Sequence, residues 1–248
     1  MTYQLAISPD FKPELISDWF IFNTWFQKEW GQSVHLELHQ GFNEQHQALD
    51  DKKIDIIYAN PYDMFRLVRE EGFVAIAKPF QKPDEAIIAS HIDSNIQSVD
   101  QLAAPLTIAQ ADSPDVNTIG MIMIEPADID PAEIIIKDVP SYISVAKQLI
   151  SGDAQIGFFL ADAFNDLSRL VKKQLQPVIS SQIHMIHHAL LLSPNCKEHI
   201  EAVRKILLSM HQETRGNEIL KGLGIEYWEP MEQEDAEFMV DLMDTLIT

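Results

Sequence analysis

Gln47-Ala48-Leu49-Asp50-Asp51-Lys52-Lys53-Ile54-Asp55-Ile56-Ile57-Tyr58-Ala59-Asn60-Pro61 runs from the end of a helix, through a charged turn, into a strand that stops at a polar turn. The near-continuous apolar stretch Ile54 to Tyr58 suits a strand buried on both faces, as in a parallel sheet. A short helix from Asn43 to Lys52 feeds it. Upstream, Tyr3 to Ile7 reads as a strand ended by Pro9. Residues 13–30 carry Trp19, Phe22, Phe26 and Trp30 at helical spacing, with Gly31 as the stop. Val34 to His39 alternates apolar and polar side chains like a half-buried strand. The order is therefore β-α-β-α-β, an α/β layer with helices on the sheet faces.

The same phrase returns downstream. Ser141 to Ile150 is a helix with Ser141 as N-cap and Gly152 as its stop, and Ala154 to Phe159 is the strand behind it. Between the two phrases come a helix expected over Asp63 to Glu71, strands at Phe73–Lys78, Glu85–Ser90, Leu106–Ala109 and Ile134–Lys137, and helices at Val99–Leu102 and Val116–Ile124. An extended segment from Gln182 to Leu192 is expected to carry the chain back to the first lobe, and two helices are expected after Asn195. The architecture is repeated although the sequence is not. The fold class expected is α/β, two-lobed, with two crossovers between the lobes. Lobe 1 takes residues 1–85 plus 186–248, and lobe 2 takes residues 86–185.

Composition narrows the function. The chain has 248 residues, 18 Lys and Arg against 38 Asp and Glu, and a net charge of −20. So acidic a chain is a poor nonspecific ligand for nucleic acid or anionic lipid. A single cysteine, Cys196, excludes an internal disulfide and a multi-cysteine metal cage. No apolar run reaches the ~18 residues of a membrane span. Met1-Thr2-Tyr3-Gln4-Leu5-Ala6-Ile7 has no basic start and no cleavage site, so the sequence reads as cytoplasmic if native at Met1, and as periplasmic or extracellular if an export signal was removed.

Signature motifs of phosphate-loop, dinucleotide, serine-hydrolase and zinc-protease chemistry are missing. His35, Glu37 and His39 fall at alternate positions of one strand, where a solvated face outweighs metal ligation. His184 and His188 would share one face of the extended return segment, with His187 opposite. Glu14/Asp18, Glu70/Glu71 and Glu232/Asp235 read as solvated helix faces. Nothing calls for a cofactor or a metal, and no catalytic residue is assigned. The helix starts say more. In an open α/β sheet, ligands sit beyond the carboxyl ends of strands, where free backbone N–H groups and the helix dipole favour an anion. Asp112-Ser113-Pro114-Asp115-Val116-Asn117-Thr118 and Ser141 are such starts, and Asn60-Pro61-Tyr62 is placed like them in the first lobe.

Over nearly its whole length the chain resembles the PhnD-like phosphate- and phosphonate-binding proteins of ABC importers, which have the type 2 periplasmic-binding fold. The stretch Gln47–Pro61 is similar to that family's helix, strand and pocket turn, and Ala154 to Asp162 to its second-lobe counterpart. Phe42 stands where the family has an aromatic residue, and lacks the hydroxyl a Tyr would offer. Asn117-Thr118-Ile119-Gly120 stands for a hydroxyl-rich S-T-S-G helix start and keeps only Thr118. The resemblance implies capture of a small polar or anionic solute, phosphonate- or phosphate-like, in an interlobe cleft, with hinge closure and delivery to an ABC permease by a monomeric protein. It places Ser8, Phe42, Asn60 and Tyr62 on one wall, and Asn117, Thr118, Ser141, Tyr142 and Asp162 on the other. A lyase-type enzyme on the same fold, drawing on His184, His187 or Asp162, and a ligand-sensing module are the alternatives.

Overall fold

The computed structural model describes residues 2–247, and side chains to residue 245. In chain order the elements are β1 (Thr2–Ile7), α1 (Ile16–Trp30), β2 (Ser33–Leu38), α2 (Phe42–Asp50), β3 (Ile56–Ala59), β4 (Val74–Pro79), β5 (Ala86–His91), β6 (Leu106–Gln110), α3 (Pro114–Ile124), β7 (Ile134–Asp138), α4 (Tyr142–Ser151), β8 (Ile156–Leu160), α5 (Ala161–Asp166), α6 (Arg169–Lys172), β9 (Leu175–Ser180), β10 (Ala189–Leu192), α7 (Ile200–Ser209), α8 (Thr214–Gly222), β11 (Trp228–Pro230) and α9 (Gln233–Ile247). They form two compact units: residues 2–82 with 187–245, and residues 83–186.

The first unit is built on a six-stranded sheet of order β11-β4-β10-β3-β1-β2. β1 pairs in parallel with β2 and β3, so all three carboxyl ends lie on one edge. β10 runs antiparallel between β3 and β4. Strand alternation sends side chains to two cores. Leu5, Ile7, Ile56, Tyr58, Leu190 and Leu192 join Trp19, Phe22 and Phe26 of α1 on one face. Ala6, Ile57, Ala59, Ala189 and Leu191 meet Met64, Leu67, Met239 and Val240 on the other. Such double coverage is what makes β3 read as an unbroken apolar run.

The second unit has a five-stranded sheet of order β7-β6-β8-β5-β9, in which β6 is parallel to β7 and β8. α4 covers one face through Val145, Ala146 and Leu149. α3 lies against β8 so closely that a Cβ on Gly120 would stand 2.6 Å from the buried Phe158 ring. Gly31 and Gly152 close α1 and α4 at φ 70° and 74°, as their places in the sequence predict.

Several local expectations are corrected. The segment expected as a helix over Asp63–Glu71 is a 3₁₀ turn, Pro61–Asp63, followed by a π-helix, Phe65–Glu70. Within it Glu71 is not solvated; it pairs with Lys52 and Arg66. Only Ala189–Leu192 of the return segment is a strand, and His184 sits at φ 59°. A left-handed residue breaks the two-residue period, so His184 and His188 share no strand face. His39 lies past the end of β2 and is buried while His35 and Glu37 are exposed, so that trio has no common face either. The region after Asn195 holds a strand, β11, and the helices α7, α8 and α9, where two helices were expected. Cys196 is buried, and desolvation pushes its thiol up to about 11, which leaves it inert at neutral pH.

Candidate functional site

The carboxyl ends of β1 and β3 are joined by one buried carboxylate that the sequence reading did not single out. Asp10, just past β1, accepts hydrogen bonds from Ser8 Oγ and from Asn60 Nδ2 at 2.8 Å. His188 Nε2 lies 3.2 Å from its Oδ2 and 3.3 Å from its Oδ1. The His188 ring stacks on Tyr58 of β3 at 5.3 Å between centroids. Asn60 Oδ1 in turn accepts from the Tyr62 backbone N–H at 2.8 Å, capping the turn that follows β3. Burial alone would raise the Asp10 carboxyl; the charge and hydrogen bond of His188, with the Ser8 and Asn60 bonds, outweigh it and hold the group below the usual carboxylate range.

Ser8 and Asn60 are fully buried, and both donate to Asp10. In this structure the Ser8 hydroxyl and one Asn60 amide bond are directed to an internal acceptor. The Ser8 proton goes to a carboxylate and not to an imidazole. Tyr62 is the open member of this wall, at 39% exposure. Phe42 is the first residue of α2, buried, with its ring 6.1 Å from that of His46 one turn on.

A second buried carboxylate stands behind the same edge. Asp63, 3% exposed, accepts from His46 Nε2 at 2.8 Å. This bond, and then the Asp63 charge, raise the His46 pKa above its ordinary value despite some desolvation. Gln45, beside His46, is fully buried and donates to the Ile7 carbonyl at 3.1 Å. The start of α2 is thus tied to the end of β1 and to the turn after β3.

In the second unit the expected residues follow the carboxyl ends of β6, β7 and β8. Asn117 Nδ2 donates to the Ala111 carbonyl at 2.9 Å, and Thr118 Oγ1 to the Pro114 carbonyl at 2.8 Å. Both protons are used to build the start of α3. Ser141 caps α4, accepting from the Ser144 N–H at 3.3 Å, and Tyr142 stacks on Phe159 at 6.1 Å. Asp162 is exposed in the first turn of α5. Sequence reading put Asp115 in a loop, but it is in the first turn of α3, buried, accepting from Ser113 Oγ at 3.2 Å. Pro114, a residue favoured at the first helical position, was the signal for that earlier start.

Comparison with known proteins follows this geometry. The family model for the periplasmic substrate-binding protein of phosphonate ABC transporters matches residues 5–236. No curated protein sequence matches the chain significantly. Among solved structures, a binding-protein component of an ABC phosphonate transporter from Pseudomonas aeruginosa is 15% identical, with a TM-score of 0.78 over 100% of this chain and 89% of that one. PhnD1 from Prochlorococcus marinus, solved with methylphosphonate, is 11% identical, with a TM-score of 0.82 over 99% and 98%. XAC2383 from Xanthomonas citri, bound to chloride, is 12% identical at the same TM-score and coverage. At these identities the structures establish the two-lobed periplasmic-binding fold, and the family model supplies the rest: the chain belongs to the substrate-binding proteins of phosphonate ABC transporters.

Proposed function

We propose that the chain captures a small anionic solute of the phosphonate or phosphate class on the extracytoplasmic side of a membrane and delivers it to an ABC permease, without chemical turnover. Family membership supports capture for uptake. The observation that carries the ligand class is the siting of polar groups on loops leaving the carboxyl ends of parallel strands in each unit: Ser8, Asp10 and Asn60–Asp63 in the first, Ser113 to Thr118 and Ser141 in the second. In this reading, the solute is held by polar groups of this kind at strand ends and helix starts, and capture shifts the protein towards whichever form binds it better.

Within the first unit, Tyr62 and the edge of Phe42 supply shape, while Ser8 and Asn60 act through Asp10. Within the second, the starts of α3 and α4 offer backbone N–H groups. Thr118 reaches a solute only by exchanging its bond to Pro114 for another rotamer, which threonine has within a helix.

A thermal-shift and calorimetric panel of phosphate, phosphite and methylphosphonate tests the assignment. A solute at ~100 times its Kd stabilises by about 2.7 kcal/mol. Tyr62→Ala is expected to weaken binding about tenfold, and Thr118→Ala a few-fold, the cost of one contact of ~1 kcal/mol or so. Neither changes the unliganded melting temperature by more than a degree or two, since Tyr62 is well exposed. A panel with no stabilising member refutes the ligand class, and unchanged affinity in both variants refutes the location.

A further inference from the structure

We propose that His46 is a specificity-determining contact of the solute site, with Asp63 as its positioning residue; this rests on the reading of the chain as a binder of small anions. Ser8 and Asn60 give their protons to Asp10, and Thr118 gives its own to Pro114. On the strand-end edge of the first unit, the exposed Tyr62 and an imidazole on α2 lie outside these bonds, and only the imidazole can carry positive charge.

His46 is held in one orientation by a buried carboxylate. Asp63 is buried behind it and takes Nε2 at 2.8 Å, whereas the His46 side chain is 32% exposed. The bond fixes the ring plane and leaves Nδ1 with no hydrogen bond among the described residues. The other carboxylate oxygen of Asp63, Oδ2, is buried without a hydrogen-bond partner, so compensation of that charge falls on His46. α2 is held in register by Gln45 on the Ile7 carbonyl, which brings His46 to the edge where β1 and β3 end. Phe42 flanks the ring at 6.1 Å on the same helix face, and is the aromatic position already assigned to the wall.

Other charges around the ring are few. Asp63 faces it from the turn after β3, Arg66 from the π-helix that follows, and Asp50 from the end of α2 itself. The Asp63 bond and charge and the Asp50 charge favour the imidazolium, against partial burial and Arg66, and the net direction is upward. A cation held this way attracts an anion below its pKa. The attraction is lost as pH rises through that value.

Methylphosphonate is the probe, titrated calorimetrically into the wild type, His46→Gln and Asp63→Asn. The ratio of variant to wild-type Kd at one pH cancels the probe's own ionisation. For His46→Gln that ratio is expected to be about tenfold near pH ~6 and to fall towards one by pH ~8.5, as the wild-type imidazolium discharges. Asp63→Asn keeps the ring but weakens the bond that favours its charge, so its loss of affinity begins at lower pH than in the wild type. Binding of the probe by the wild type with a ratio that is flat in pH, or with His46→Gln as tight as wild type near pH ~6, overturns the assignment of His46 alone. Failure of the wild type to bind methylphosphonate, phosphate or phosphite at any pH overturns the anion reading and this inference with it. Circular dichroism melts of both variants exclude unfolding, and a purely structural His46 would move those melts without a pH-dependent ratio.

Discussion

Asp10→Ala lowers stability at neutral pH by about 3–5 kcal/mol, measured as the shift of the urea midpoint at constant slope. The magnitude is that of removing one member of a buried ion pair. The side chains left behind are Ser8 and Asn60, both fully buried, and His188 on the neighbouring strand end. Each loses its partner on Asp10, and unpaired buried donors are costly. The pH dependence has a definite sign. A carboxyl held below its ordinary value contributes stability that is complete above the unfolded pKa and disappears as pH falls through the folded one. The wild type therefore loses this contribution only in acid, and the gap between wild type and Asp10→Ala closes there. A loss below about 1 kcal/mol at neutral pH would show that the Asp10 network joins nothing of consequence.

Gly120→Ala reverses a familiar sign. Within a helix interior alanine is normally better than glycine by up to ~1 kcal/mol. Here the new methyl would stand 2.6, 2.7 and 2.8 Å from three atoms of the Phe158 ring. That ring is fully buried in β8. Helix α3 must lift, at a cost of about 1–3 kcal/mol for an overpacked core. Under the proposed function, which puts Asn117 and Thr118 of the same helix start at the solute, lifting α3 also weakens binding. The double variant Gly120→Ala/Phe158→Leu relieves the clash and is expected to recover much of both losses; recovery of neither would place the fault outside this contact.

The repeat of helix, charged turn and buried strand was legible because a strand covered on both faces has to be apolar at every position. β3 and β8 are such strands, and the residues around them were placed to within a turn. The parts that escaped follow a different physics. The π-helix at Phe65–Glu70 has no periodicity that distinguishes it from an α-helix over so few residues. β9 is partly exposed and carries a proline, Pro177, which argues against a strand in a sequence reading, and β11 is only three residues long, so alternation has no length in which to show itself. Tyr62 and the starts of α3 and α4 lie where the sequence reading expects them, close after the strands β3, β6 and β7. Asp10 and Asp63 could not be singled out by type in a chain with 38 acids. What sets them apart is burial and a histidine from elsewhere: His188 reaches Asp10 across a sequence separation of 178, and His46 reaches Asp63 across 17.

Strand β10 has a consequence for how the chain comes to be folded. It fills the place between β3 and β4, which never bond to each other directly. A nascent polypeptide emerging in order therefore makes β3 and β4 long before it makes the strand that joins them. Until then each carries an open row of backbone donors and acceptors, the kind of edge that templates aggregation. The intervening residues 83–186 form a contiguous unit with a complete sheet of their own. Their early completion would shorten the wait, with closure of the first unit left as the late, non-local and slow event.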